Sequence, residues 1–200
     1  MSALPSHLEL VQGVVLPKPV GGHPVLDFVN TRSDWTTRGS ARTEWLTSYD
    51  AFLIWNSYVG LLPPATVSRL VGEADARFSE AARRLHASLD FRVNLYDVLT
   101  GGGSFPAVAR VIEKATARRR LMPTDRGAEW ELPEDLALPL DNLALVAGEL
   151  LTGPSRAYVQ MCPGESCGWL FLDPRGRRRW CSMATCGNRA KVRAHAARAR

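Results

Sequence analysis

The chain has 200 residues, 46% of them apolar, which is enough to form the core of one large domain or of two smaller ones. It has no apolar run of about 18 residues and no secretory signal, so we expect a soluble cytoplasmic protein with no membrane contact. Residues 162–200 carry nine Lys or Arg and two acidic residues, a net charge of +7, whereas the other 161 residues carry 16 basic and 18 acidic ones, a net charge of −2. This uneven charge predicts a polyanionic partner for the C-terminal segment.

The first 60 residues predict short elements. An apolar run over residues 8–16 is typical of a strand, and the segment His-Pro-Val-Leu-Asp-Phe-Val-Asn-Thr follows at residues 23–31. A polar loop then leads to Ser48 or Asp50, either of which suits the N-cap of a helix that ends before Gly60.

The longest helical pattern spans residues 66–100. Its apolar residues recur at steps of three and four, which places them on one face of a helix, and Arg92 occupies a position in that stripe. A second helix is predicted from Pro106, a hairpin or loop over residues 121–132, and a third helix over residues 136–150 that ends at Gly153. The sequence thus predicts an α+β fold whose N-terminal domain, residues 1–155, is mainly helical with small β elements.

All four cysteines lie in the C-terminal segment, as Cys162-x4-Cys167-x13-Cys181-x4-Cys186. In a reducing cytosol, such pairs are better explained as metal ligands or redox thiols than as disulfides. Two close pairs can supply the four tetrahedral ligands of zinc, and four thiolates leave no open position for catalysis. We therefore predict one structural Zn²⁺ held by the four cysteines. Free thiols without a metal are the alternative.

The chain between and after the cysteine pairs predicts the shape of this module. Residues 169–172 favour a strand, residues 173–176 a turn and residues 177–180 a returning strand, and the residues after Cys186 favour a helix. A knuckle, a hairpin and a helix make a treble clef over residues 156–200. Its basic side chains are candidates for DNA contacts, because Arg and Lys bind phosphates: Arg175, Arg177, Arg178, Arg179, Arg189, Lys191 and Arg193. The alternative partner of this basic surface is an acidic protein.

Two segments resemble known families. Residues 162–191, which include Cys-Gly-Asn-Arg at 186–189, look like the CGNR zinc finger, and residues 23–31 are similar to the opening signature of the ABATE domain. The resemblance implies a bacterial, stress-linked transcription regulator. It also implies that the N-terminal domain senses a small ligand, that the treble clef contacts DNA, and that the four cysteines bind the zinc.

Arg92 is the unusual residue of the N-terminal domain, because a guanidinium in an apolar stripe stays charged and needs an anionic partner. Asp27 is our candidate for a structural ion pair with it. The alternative partner is an acidic small molecule, with further hydrogen bonds from His23, Asn30 and Thr31. The sequence contains neither a recognisable Ser/His/Asp constellation nor a phosphate-binding loop with its lysine, so we predict no enzymatic activity.

Overall fold

The computed structural model describes residues 4–36 and 42–198 and confirms a mainly helical α+β fold with small antiparallel sheets. In chain order its strands and helices are β1 (Leu8–Val11), β2 (Val14–Pro17), α1 (Pro24–Val29), α2 (Tyr49–Tyr58), α3 (Pro64–Ala76), α4 (Phe78–Leu99), α5 (Phe105–Ala117), β3 (Arg120–Thr124), β4 (Gly127–Glu131), α6 (Leu138–Thr152), β5 (Val159–Met161), β6 (Leu170–Leu172) and α7 (Asn188–Arg198). A 3-10 turn, Pro154–Tyr158, precedes β5, and a wide π-type turn, Met183–Gly187, precedes α7. Within the described part of the chain, no helix combines the length and apolarity needed to cross a bilayer.

Packing divides the chain into two compact units. The first unit consists of Met1–Leu46 together with Pro154–Arg200, and the second is Thr47–Gly153. The division of the sequence into domains at residues 1–155 and 156–200 stays a prediction. By packing, the described N-terminal segment up to Leu46 and the described C-terminal segment from Pro154 belong to the same unit.

The second unit is a set of five helices, α2 to α6, with the β3–β4 hairpin between α5 and α6. The predicted single helix over residues 66–100 is wrong, because the backbone leaves the helical region at Arg77, where φ is −128° and ψ is 42°. Arg77 forms ion pairs with Glu73 and Glu80 on either side of this break. Phe78, which the pattern placed in the buried stripe, is 77% exposed, whereas Arg92 is buried, as expected from its position in the stripe.

The first unit joins two small hairpins to α1 and α7. β1 pairs with β2 through a turn at Gln12 and Gly13, both of which have left-handed φ, and β5 pairs with β6. Helix α1 forms within residues 23–31, where His23 Nδ1 accepts a hydrogen bond from Val25 N at 3.2 Å and so caps the helix. The buried faces of α1 and β6 supply much of the apolar core of this unit: Val25, Leu26, Phe28, Val29, Leu170 and Phe171.

Candidate zinc centre and basic surface

The four cysteines of the first unit lie together. Their sulfur atoms are all within 4.8 Å of one another, and Cys181 Sγ is 3.7 Å from both Cys167 Sγ and Cys186 Sγ. A Zn–S bond of about 2.3 Å in a tetrahedron places sulfur atoms about 3.8 Å apart, so the observed spacing fits a ZnS₄ centre. Cys162, Cys181 and Cys186 are buried and Cys167 is partly exposed. The cluster is therefore a site for one structural zinc ion, whose charge would stabilise four thiolates.

Secondary structure positions each of these ligands. Cys162 follows β5 and Cys167 precedes β6, and the bond from Cys162 N to Trp169 O, at 2.8 Å, continues the β5–β6 ladder up to the first ligand. At Gly164, inside this knuckle, an added Cβ would lie 2.9 Å from Cys186 Sγ, so a side chain cannot fit there without displacing the cluster. Cys186 lies in the π-type turn immediately before α7, in agreement with the helix predicted to follow it. This arrangement is compatible with a treble clef.

The predicted β-hairpin between the two cysteine pairs is wrong. Strand β6 pairs with β5, which precedes Cys162, and residues 177–180 form no strand. The physical reason is local: the carboxylate of Asp173 accepts hydrogen bonds from Arg177 N at 2.9 Å and from Arg178 N at 3.0 Å. Backbone donors that a returning strand would offer to β6 are used in this turn instead. The basic residues between the pairs therefore lie on a tight turn rather than on a strand.

Residues 23–31 form the surface on which β6 rests within the first unit. Asn30 Nδ2 donates to Leu170 O at 2.9 Å, and Asn30 Oδ1 accepts from Leu170 N at 2.9 Å. Asp27 Oδ1 accepts from Val20 N at 2.8 Å and from Gly21 N at 2.7 Å. The Asn30 bonds attach the segment that resembles the ABATE signature to the zinc-bearing part of the chain, and the Asp27 bonds attach it to the loop that precedes α1.

The predicted ligand-binding residues thus have partners in the structure. In addition to the contacts of Asn30 and Asp27, His23 caps α1, and Thr31 Oγ1 donates to Phe28 O at 2.6 Å. Burial raises the pKa of Asp27 to about 6, although the hydrogen bonds from Gly21 and Val20 and the charge of Arg178 act in the opposite direction. Arg92 is 2% exposed and belongs to the second unit. Its ion pair with Asp27 and the ligand role of all five residues stay predictions.

The seven predicted DNA-contacting residues are all exposed, but their surroundings differ. Arg175 and Arg177 lie in the turn after β6, and the guanidinium of Arg179 lies 5.1 Å from the ring centroid of Trp180. On α7, Arg193 forms an ion pair with Glu165. Arg178 differs from the rest because its guanidinium donates to backbone carbonyls. Arg200, counted in the charge of residues 162–200, lies outside the described residues.

A small cavity adjoins the cysteine cluster. It has a volume of about 120 Å³, and its walls include Cys167, His7, Trp45, Trp169 and Arg189. The three aromatic rings contact one another edge to face, with centroids 6.0 to 6.5 Å apart. Burial and the nearby charge of Arg189 lower the pKa of His7. Sequence reasoning missed this cluster, because a lone histidine and two distant tryptophans carry no pattern that connects them.

A buried Cys₄ centre next to an exposed basic helix defines a zinc-finger protein. Comparison with protein families agrees: residues 159–199 match the CGNR zinc finger, and residues 22–154 match ABATE, a family described as "Putative stress-induced transcription regulator". Because the second match spans more than half of the chain, the protein belongs to the ABATE family. A search of curated proteins finds no match.

Proposed function

We propose that the protein regulates transcription by binding DNA through the basic surface of its zinc-bearing unit. We define this basic surface as the exposed side chains of Arg175, Arg177, Arg179, Arg189, Lys191 and Arg193. The observation that carries the proposal is that the turn and the helix bearing these six charges both border the four-cysteine site: the turn lies between Cys167 and Cys181, and the helix follows Cys186. A bound zinc would order the backbone that presents these groups, so that binding a phosphate backbone would cost only the ordering of the side chains.

Three further observations support the proposal. The family description is that of a transcription regulator. Residues 162–200 are strongly cationic, which favours a polyanion such as DNA over a neutral partner. Four thiolates leave zinc no open coordination position, which supports a binding role rather than a catalytic one. Such a regulator would act in the cytoplasm. Control by a small ligand stays a prediction. The polar groups of His23, Asn30 and Thr31 form hydrogen bonds within the first unit, and a ligand would have to compete with these bonds.

Salt dependence of binding tests this function. Zinc-loaded protein is titrated into a fluorescently labelled DNA duplex at several salt concentrations, and the dissociation constant is followed by anisotropy. Each phosphate contact contributes about 0.9 to the slope of log K against log salt, so the six residues together give a slope of at most about 5 in magnitude. The variant Arg175→Ala/Arg177→Ala/Arg179→Ala should bind more weakly and lower the magnitude of the slope by about 3.

A matched control separates a specific surface from net charge. The triple variant Arg110→Ala/Arg120→Ala/Arg126→Ala removes the same charge from exposed positions of the second unit and should leave the slope unchanged. Equal losses in both triple variants, or no salt-sensitive binding by zinc-loaded protein, would contradict DNA binding by this surface. The alternative function is an adaptor that binds acidic proteins. A pull-down that recovers a protein partner through residues 162–200, in the same amount with and without nuclease treatment, would support it.

A further inference from the structure

Arg178 makes contacts that none of the other predicted DNA-binding residues makes. Its Nη2 donates to Cys181 O at 2.6 Å and to Val20 O at 2.8 Å, and its Nη1 donates to Leu172 O at 3.3 Å. The guanidinium also lies 4.5 Å from the ring centroid of Phe171. These acceptors belong to a zinc ligand, to the N-terminal loop and to the end of β6. One side chain thus connects the end of β6 and the loop at Cys181 with the N-terminal loop, which is 158 residues away in sequence.

The N-terminal loop is itself fixed where Arg178 reaches it. The Asp27 carboxylate accepts from both Val20 N and Gly21 N, and Gly21 O accepts from Leu172 N at 2.8 Å. A Cβ at Gly21 would lie 2.8 Å from Leu26 Cβ, so the close approach of this loop to α1 requires glycine. The Val20 carbonyl is therefore a well-positioned acceptor. The negative charge of Asp27 also favours a cation beside this loop.

The geometry of arginine suits this role better than that of lysine. A planar guanidinium offers five donors in a fixed arrangement and can stack on an aromatic ring, whereas an ammonium is a compact, strongly hydrated charge. Hydrogen bonds from a charged donor are also stronger than those between neutral groups. Both terminal nitrogens of Arg178 already donate to protein carbonyls. A phosphate contact by Arg178 would have to replace these bonds.

We propose that Arg178 is a positioning residue that holds the zinc-ligand loop at Cys181 against the N-terminal loop at Val20, and that it is not a phosphate contact. The second part rests on the proposed function: if the basic surface binds DNA, Arg178 should add no phosphate contact and should not contribute to the salt slope. The connection between the zinc centre and the N-terminal loop stands on the contacts alone.

The test compares Arg178→Ala and Arg178→Lys with Arg177→Ala, its exposed neighbour, in the full-length zinc-loaded protein. Two quantities are measured: the rate of zinc transfer to a colorimetric chelator and the salt slope of DNA binding. Mutating a residue that orients a metal ligand typically lowers metal affinity by about 10- to 100-fold. Both Arg178 variants should therefore lose zinc at least about tenfold faster than the wild type. Arg177→Ala should lose zinc at the wild-type rate but reduce the magnitude of the salt slope by about 0.9.

The salt slope, measured with zinc in excess, should stay at the wild-type value for both Arg178 variants. Wild-type zinc transfer in Arg178→Ala and Arg178→Lys, or a salt slope reduced as in Arg177→Ala, would overturn the proposal. If Arg178→Ala does not fold, Arg178→Lys decides, because it keeps the charge that a phosphate would need while losing the planar group. If the wild-type protein binds no DNA, the proposed function fails, and the zinc transfer rates alone still test the positioning role.

Discussion

Replacing Asn30 with alanine should destabilise the zinc-bearing unit strongly. Asn30 is 2% exposed, and its amide satisfies both the N–H and the C=O of Leu170, a residue 140 positions later in the chain. The side chain thus completes the hydrogen bonding of β6 as a neighbouring strand would. Asn30→Ala would leave two buried backbone groups without a partner. Each such group costs about 1 to 3 kcal/mol, so we expect the free energy of unfolding to fall by about 4 kcal/mol.

Urea unfolding of zinc-saturated protein, followed by tryptophan fluorescence, measures this loss. A suitable control is Asn94→Ala on α4, which removes an amide that donates to Asp90 O at 2.9 Å in an exposed position. Since surface substitutions usually change stability by less than about 0.5 kcal/mol, this control should unfold like the wild type. If the two alanine variants had the same unfolding free energy, the hydrogen bonds of Asn30 would not stabilise β6, and residues 23–31 would not have the structural role described above.

Three further predictions concern the same unit. The pKa of Asp27 is raised from 3.8 to about 6, so its contribution to stability is complete below pH 4 and is lost as the pH rises through 6. Between pH 5 and 7.5 the free energy of unfolding of the wild type, measured in urea, should therefore fall by about 1 kcal/mol relative to that of Asp27→Asn. A difference between the two proteins that does not change with pH would refute the burial of the Asp27 carboxyl. Gly164→Ala, whose Cβ would lie 2.9 Å from Cys186 Sγ, should weaken zinc binding in a chelator competition, whereas Gly72→Ala, with open space around it on α3, should not. Elemental analysis should find about one zinc per chain, and Cys186→Ser should reduce zinc retention; full retention would show that Cys186 is not a ligand.

The zinc ligands could be predicted from the sequence because their spacing alone carries the signal. Two close cysteine pairs, with no other cysteine in the chain, leave one obvious way to build a tetrahedral site. Most helices could likewise be placed from local chemistry, as at Ser48, whose hydroxyl accepts from Ala51 N and caps α2. The end of α6 next to Gly153 follows from the same kind of signal.

Other features depend on contacts that one sequence does not reveal. The chain after Asp173 looks like a returning strand, but the Asp173 carboxylate takes the backbone donors of that strand. The residues from 66 to 100 look like one helix, but the backbone breaks at Arg77 while the apolar steps continue. The pairing of Asn30 with Leu170 and the bond of Arg178 to Val20 O connect distant segments. Nothing in the local sequence distinguishes Arg178 from the arginines beside it.

We expect zinc and the N-terminal segment to stabilise one another within the first unit. Hydrogen–deuterium exchange of the full-length protein, with zinc bound and after removal by a chelator, tests it most directly. We predict that removing zinc exposes backbone amides of residues 20–31 to exchange together with those of residues 159–187, because Gly21 and Asn30 lose their hydrogen bonds to β6. Unchanged protection of residues 20–31, alongside full loss of protection around the cysteines, would show that zinc does not stabilise the N-terminal segment.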